Sequence, residues 1–169
     1  MLGRGCNLGG QRLYSVQRVL MGNFGAGYQA VCEGVPVGQG QHMNITSIDH
    51  IVLTVEDIER TVSFYRDVLG MEKEEFGEGR IALVFGGQKI NLHQAGAEFE
   101  PKADRPMPGS ADICFLTEWP VVDWSDKLRR EGIDVIEGPV DRTGARGPIY
   151  SIYLRDPDGN LVEISNRKQ

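Results

Sequence analysis

The patterned part of the chain opens with a strand whose side chains alternate between two faces. In residues 48–55 every second residue from Ile51 onward is apolar, so His50 and Thr54 fall on the opposite face. Apolar residues then recur at helical spacing after Asp57, a residue type that caps helix N-termini. Gly70 marks the end of this helix. The pattern therefore predicts a strand followed directly by a helix.

Three further strands complete this first unit. They are predicted near residues 71–76, 80–85 and 88–93. Gly86 and Gly87 separate the last two, and paired glycines are typical of the tight turn in a β-hairpin. The first unit is therefore a strand, a helix and three strands.

The second half of the chain repeats this order. Nineteen positions separate Ile51 from Gly70, and nineteen separate Ile113 from Gly132. The repeated unit is predicted as a strand at 111–117, a helix from Pro120 to Gly132, and strands near 133–140, 149–154 and 160–165. The extra length of this second unit lies mainly in residues 141–148, which are predicted to form a loop.

The repeat defines the domain organisation. Residues 43–169 are predicted to form a single domain with modules at 46–94 and 110–166, because neither module could bury a large core alone. Residues 1–42 lack apolar periodicity and hold 10 of the 22 glycines, so they are predicted to be disordered. Their three arginines and one acidic residue fit a mitochondrial transit peptide, an extension without a role, or translation that starts at Met43.

Charge and composition argue against several classes of protein. A net charge of -6 argues against nucleic-acid binding, which needs a basic surface. No run of about 20 apolar residues is present, so no membrane span is predicted. Three scattered cysteines suit neither a disulfide framework nor a thiolate zinc site. A cytoplasmic protein is therefore expected, or a mitochondrial one if the extension is a transit peptide.

Four polar residues take corresponding places in the two halves. Aligning the repeats pairs His50 with Asp112 and His93 with Glu163, all on the faces opposite the apolar positions. Each could simply be a hydrogen-bonded or solvent-facing strand residue. Together, however, imidazole nitrogens and carboxylate oxygens suit a divalent transition metal with open coordination positions. Glu163 could be a fixed ligand, or it could leave the metal and move a proton.

Two segments at the ends of the patterned region resemble a known superfamily. The stretches IDHIVLTVEDIERTVSFYRDVLGM and YLRDPDGNLVEIS are similar to the opening and closing motifs of the vicinal oxygen chelate superfamily, which includes glyoxalases, bleomycin-resistance proteins and dioxygenases. The resemblance implies an α+β fold of paired βαβββ modules, which form a curved mixed sheet around a central metal and substrate cleft, and a homodimer. It also implies metal ligands at His50, His93 and Glu163, with Asp112 where a histidine is usual.

The expected function is a glyoxalase-like, metal-dependent lyase or isomerase that acts on a small oxygen-chelating substrate, such as a thiol adduct or a thioester. The metal would be Zn, Ni, Mn, Fe or Co, and Glu163 would shuttle the proton. Arg142 and Arg146 would bind an anionic substrate from a mobile loop. The alternative is a non-catalytic binding module of the bleomycin-resistance type, and a dioxygenase ranks third. Whether the site forms within one chain or across a dimer is left open.

Overall fold

The computed structural model describes residues 44–168, so the predictions for residues 1–42 lie outside the described part of the chain. Each module contains one helix and four strands. The first module comprises β1 (His50–Val55), α1 (Ile58–Ser63) with a π-helical turn (Phe64–Val68), β2 (Glu72–Phe76), β3 (Arg80–Phe85) and β4 (Gln88–Gln94). The second comprises β5 (Asp112–Leu116), α2 (Val121–Arg130), β6 (Glu137–Gly144), β7 (Gly147–Arg155) and β8 (Leu161–Arg167).

The strands form two four-stranded mixed sheets with the same topology. The order is β1-β4-β3-β2 in the first sheet and β5-β8-β7-β6 in the second. In each sheet the first strand of the module pairs in parallel with the last, and the other neighbours are antiparallel. This arrangement confirms the predicted α+β fold of paired βαβββ modules.

Local sequence explains how the helices begin. The Asp57 side chain accepts a hydrogen bond from Arg60 N at 2.9 Å, which confirms the predicted cap of α1. Pro120, at the start of α2, has no side-chain acceptor. Asn166 near the end of β8 caps α2 instead, because its Oδ1 accepts a hydrogen bond from Val121 N at 2.8 Å. The second helix is therefore fixed to its own sheet at its first turn.

The apolar faces of both sheets contribute to one core. Phe115 of β5 packs edge-on against Phe85 of β3 and Tyr65 of the π-helical turn, with ring centroids 5.3 and 6.5 Å apart. The predicted apolar positions all belong to this core or pack against it: Ile51, Leu53, Ile90, Leu92, Ile113, Phe115, Val162 and Ile164. Because these faces meet in one core, the polar faces of the two sheets lie on its outside.

The β7–β8 turn joins the second module to the first. Asp158 in this turn accepts a hydrogen bond from Arg60 of α1 at 2.7 Å, and Asp156 accepts one from the Tyr65 hydroxyl at 3.0 Å. These contacts fix how the two modules pack within one chain. No helix among residues 44–168 is both long and apolar enough to cross a membrane.

The predicted loop at residues 141–148 is wrong. β6 extends to Gly144 and β7 begins at Gly147, so only residues 145 and 146 form the turn of a hairpin. Arg142 is therefore a strand residue opposite Ile149, and Arg146 lies in a tight turn. The error arose because glycine and arginine residues interrupt the apolar alternation, although edge strands tolerate them.

Candidate functional site

His50 begins the polar face of the first sheet. Its side chain is 44% exposed, and its Nδ1 lies 2.7 Å from Oδ1 of Asp49. A carboxylate that accepts from Nδ1–H fixes the ring orientation and leaves the Nε2 lone pair available to a ligand. His50 is therefore oriented in the way that metal-binding histidines commonly are.

His93 lies on the same polar face but not beside His50. In the parallel β1–β4 pair, His50 is opposite Lys89 and Thr54 is opposite His93. The two histidines are thus four residues apart along the strands, or about 13 Å at about 3.3 Å per residue. The ring of His93 packs edge-on against Phe99 at 5.6 Å. Strand alternation predicted the shared face, and strand register separates the two rings.

The predicted correspondence between the halves is only partly right. In the second sheet Glu163 is opposite Cys114, two residues beyond Asp112, whereas His93 is opposite Thr54, four residues beyond His50. The pairs His50–Asp112 and His93–Glu163 therefore cannot both be structural equivalents. A shift of two residues keeps every side chain on its face, so apolar alternation does not detect it.

Glu163 lies on the polar face of the second sheet among hydroxyl and thiol groups. Ser165 Oγ donates to Glu163 Oε1 at 3.2 Å, and Ser165 also contacts Ser151 Oγ at 2.8 Å and Cys114 Sγ at 3.3 Å. Both serines are fully buried. They form the floor under the carboxylate and limit the positions it can take.

Carboxylates shape the electrostatics of this face. Burial raises the pKa of the Cys114 thiol, and the negative charges of Glu163 and Asp112 raise it further, so Cys114 is held as a thiol. Burial also raises the pKa of Tyr153, and so does Glu163, while Arg142 opposes that effect. Glu163 is therefore surrounded by groups that carry protons.

The two predicted substrate arginines differ in their surroundings. Arg142 donates from Nε to the Tyr153 hydroxyl at 3.0 Å and also donates to the Glu137 carboxylate. Arg146 instead lines a cavity of about 420 Å³ that also reaches Glu163. Arg142 thus holds Tyr153 in place, whereas Arg146 is positioned to meet a ligand.

Sequence reasoning missed Tyr153, Ser165 and Arg167 as residues of this site. Ser165 and Arg167 follow Glu163 at alternate positions, and Tyr153 is its direct partner on β7. Alternation along β8 could have identified the first two. Tyr153 required the pairing between β7 and β8, which the sequence does not specify.

The predicted metal ligands are not brought together in one chain. Among residues 44–168, no three His, Cys, Asp or Glu side chains are close enough to hold a metal ion. Asp112 and Glu163 share the polar face of the second sheet, while His50 and His93 occupy that of the first. One chain therefore offers two half-sites, one on each sheet.

Comparison with known proteins covers both modules. Residues 47–164 match the model of the Glyoxalase/Bleomycin resistance protein/Dioxygenase superfamily. The chain is 59% identical to the Virulence protein STM3117 of Salmonella typhimurium over 123 residues, which are 73% of this chain and 85% of that protein. The crystal structure of STM3117 superposes with a TM-score of 0.73 at 58% identity, covering 75% of this chain and 100% of the other.

Two more distant proteins carry names that indicate chemistry. The metallothiol transferase FosB of Shouchella clausii is 28% identical over 123 residues, covering 71% of this chain and 80% of FosB. The crystal structure of a lactoylglutathione lyase from Agrobacterium tumefaciens has a TM-score of 0.56 and 26% identity, and covers 73% of this chain and 96% of the lyase. Thiol compounds appear in both names.

Proposed function

The chain belongs to the Glyoxalase/Bleomycin resistance protein/Dioxygenase superfamily, and on this premise we propose that it is a metal-dependent lyase or isomerase whose active site forms between two copies of the chain. The observation that supports this most directly is the division of the donor residues. His50 lies on one polar face, and Asp112 and Glu163 lie on another, so a complete site needs a second copy.

The donor chemistry of the two half-sites fits a divalent metal ion. One imidazole and two carboxylates match the nitrogen and oxygen ligands preferred by Zn, Ni, Mn, Fe or Co. Asp49 already orients His50, and Ser165 already holds Glu163. His93 is outside this donor set, because it lies about 13 Å from His50 along the strands. We place His50 of one chain with Asp112 and Glu163 of the other.

The polar faces also carry features that a second copy would cover. Val52, between His50 and Thr54, is 46% exposed, and Leu116 of β5 is 50% exposed. Exposed apolar side chains on both polar faces favour an interface. The proposal therefore includes a homodimer.

Glu163 has two roles in this mechanism, because it would be a ligand of the resting metal site and it transfers the proton during the reaction. A bound divalent metal would stabilise negative charge on the substrate oxygens. The Glu163 carboxylate removes the proton from the carbon next to the substrate carbonyl. It then delivers this proton either to the opposite face of the same carbon or to the former carbonyl carbon, so that the substrate is isomerised without gain or loss of atoms. Ser165 and the buried Ser151 keep the carboxylate oriented, and Tyr153, held by Arg142, places a hydroxyl on the same face. The names of the thiol-acting relatives support a thiol adduct or thioester as the substrate.

Metal analysis by mass spectrometry tests this proposal. The wild-type protein, reconstituted with Ni, Mn or Zn, is expected to hold about one metal ion per chain. His50→Ala and Glu163→Ala should each lose most of it, because each removes one of few ligands. His93→Ala is the matched control and should retain the metal. Unchanged metal content in the first two variants would overturn the proposal and favour a binding module without chemistry.

A further inference from the structure

The polar face of the second sheet changes from carboxylates at one end to guanidinium groups at the other. Asp112 lies opposite Leu161 near the start of β8. Glu163, Ser165 and Arg167 then follow at alternate positions on the same face. Four residues separate Glu163 from Arg167, which is about 13 Å between their backbones at about 3.3 Å per residue. The carboxylate end and the guanidinium end of this face are therefore separated by about the length of a small molecule.

A cavity of about 420 Å³ connects these ends. Its lining includes Glu163 and Cys114, the β6–β7 turn with Arg146, and Arg167 and Lys168 at the end of β8. Three of these side chains are cationic and one is a carboxylate. Away from Glu163, the cavity is therefore positively charged, although the chain as a whole carries a net charge of -6.

Two of the cationic groups are available to a ligand. Lys168 Nζ is bonded to Asp141 at 2.6 Å, and the neighbouring Arg142 is bonded to Glu137 and Tyr153. Within residues 44–168, Arg146 and Arg167 make no side-chain hydrogen bond or ion pair with another residue. Guanidinium groups bind carboxylates and phosphates through paired hydrogen bonds, which suits these two arginines to an oxyanion.

We propose that this cavity binds the anionic end of the substrate, with Arg146 and Arg167 as its oxyanion-binding residues. The substrate would then carry a terminal carboxylate or phosphate at one end and the oxygen-chelating, reactive group at the other, near Glu163. The assignment of the reactive end rests on the proposed function. The anion site itself rests only on the cavity and on its two arginines, which have no side-chain partner within the described residues 44–168.

Anion titration of the metal-free protein tests the site separately from the metal. Amide chemical shifts of Ala145 and Gly147 in ¹⁵N-labelled protein would be followed with added inorganic phosphate and, in a second series, with acetate. The two series distinguish a phosphate site from a carboxylate site. Arg146→Gln and Arg167→Gln should each weaken the preferred anion at least about tenfold, as expected for a lost charge-assisted hydrogen bond.

Arg105→Gln provides the matched control, because Arg105 is 88% exposed and lies in the segment between the modules. It should leave the titration unchanged. Wild-type affinity in both cavity variants, or no shift at Ala145 and Gly147 with either anion, would overturn the anion site. The cavity variants should also retain metal, so failure of the anion site and failure of the metal proposal give different results.

Discussion

Tyr65 shows how a single buried hydroxyl can join the two modules. The side chain is fully buried, and its hydroxyl donates to Asp156 Oδ2 at 3.0 Å. Asp156 is only 5% exposed and also accepts from Asn160 Nδ2 at 2.7 Å. Burial and the nearby Asp156 raise the pKa of Tyr65, so the phenol stays protonated and remains a donor. The bond therefore connects the first module to the β7–β8 turn, which precedes Glu163.

Tyr65→Phe should lower the free energy of unfolding by about 1–2 kcal/mol, because a buried carboxyl oxygen loses one of its donors. Urea denaturation would measure the change. Tyr150→Phe is the matched control, since the Tyr150 hydroxyl has no hydrogen-bond partner within residues 44–168, and it should change stability by less than about 0.5 kcal/mol. Equal effects of the two variants would contradict this role for Tyr65.

Alternation along the strands predicts which face each residue occupies, but not its neighbour across the sheet. The apolar positions from Ile51 to Ile164 all reach the core, and His50, His93 and Glu163 all avoid it. Their distances from one another depend on strand register, which can shift by two residues without moving any side chain to the other face. The sequence therefore predicts the fold and the chemical groups of the site, but it does not predict the distances between those groups.

In the β6–β7 hairpin, the close approach of the edge strand β6 to β7 is another feature that apolar alternation does not reveal. Gly138 lies beside an irregularity in the pairing between Glu137 and Val140, with φ at +106°. A Cβ at this position would come within 2.5 Å of the Ser151 carbonyl oxygen. Glycine is thus required for β6 to approach β7 closely. Ser151 is also part of the floor under Glu163, so this approach supports the site.

Gly138→Ala should destabilise the protein more than Gly132→Ala. Gly132 also has a positive φ, +73°, but nothing lies within 4 Å of a Cβ added there. The control therefore reports backbone strain alone, about 1–2 kcal/mol, while Gly138→Ala adds a clash with backbone atoms. Urea denaturation of both variants gives the difference, expected to exceed about 1 kcal/mol. A smaller loss in Gly138→Ala than in Gly132→Ala would contradict the close approach.

At the scale of the whole molecule, the central feature is the separation of the two polar faces. One core joins the modules through Phe115, Phe85 and Tyr65, and the polar faces lie outside it. No pattern within one repeat could predict this, because it depends on how the modules pack against each other. A second copy can combine the face that carries His50 with the face that carries Glu163, and each dimer would then hold two sites.

Metal content of a mixed dimer tests this claim most directly. His50→Ala and Glu163→Ala chains, co-expressed with different affinity tags and purified through both, would form one site with both defects and one intact site. We expect about one metal ion per mixed dimer, with little in either variant's own homodimer and about two in the wild-type dimer. A mixed dimer without metal, alongside a metal-loaded wild type, would contradict a site shared between two chains.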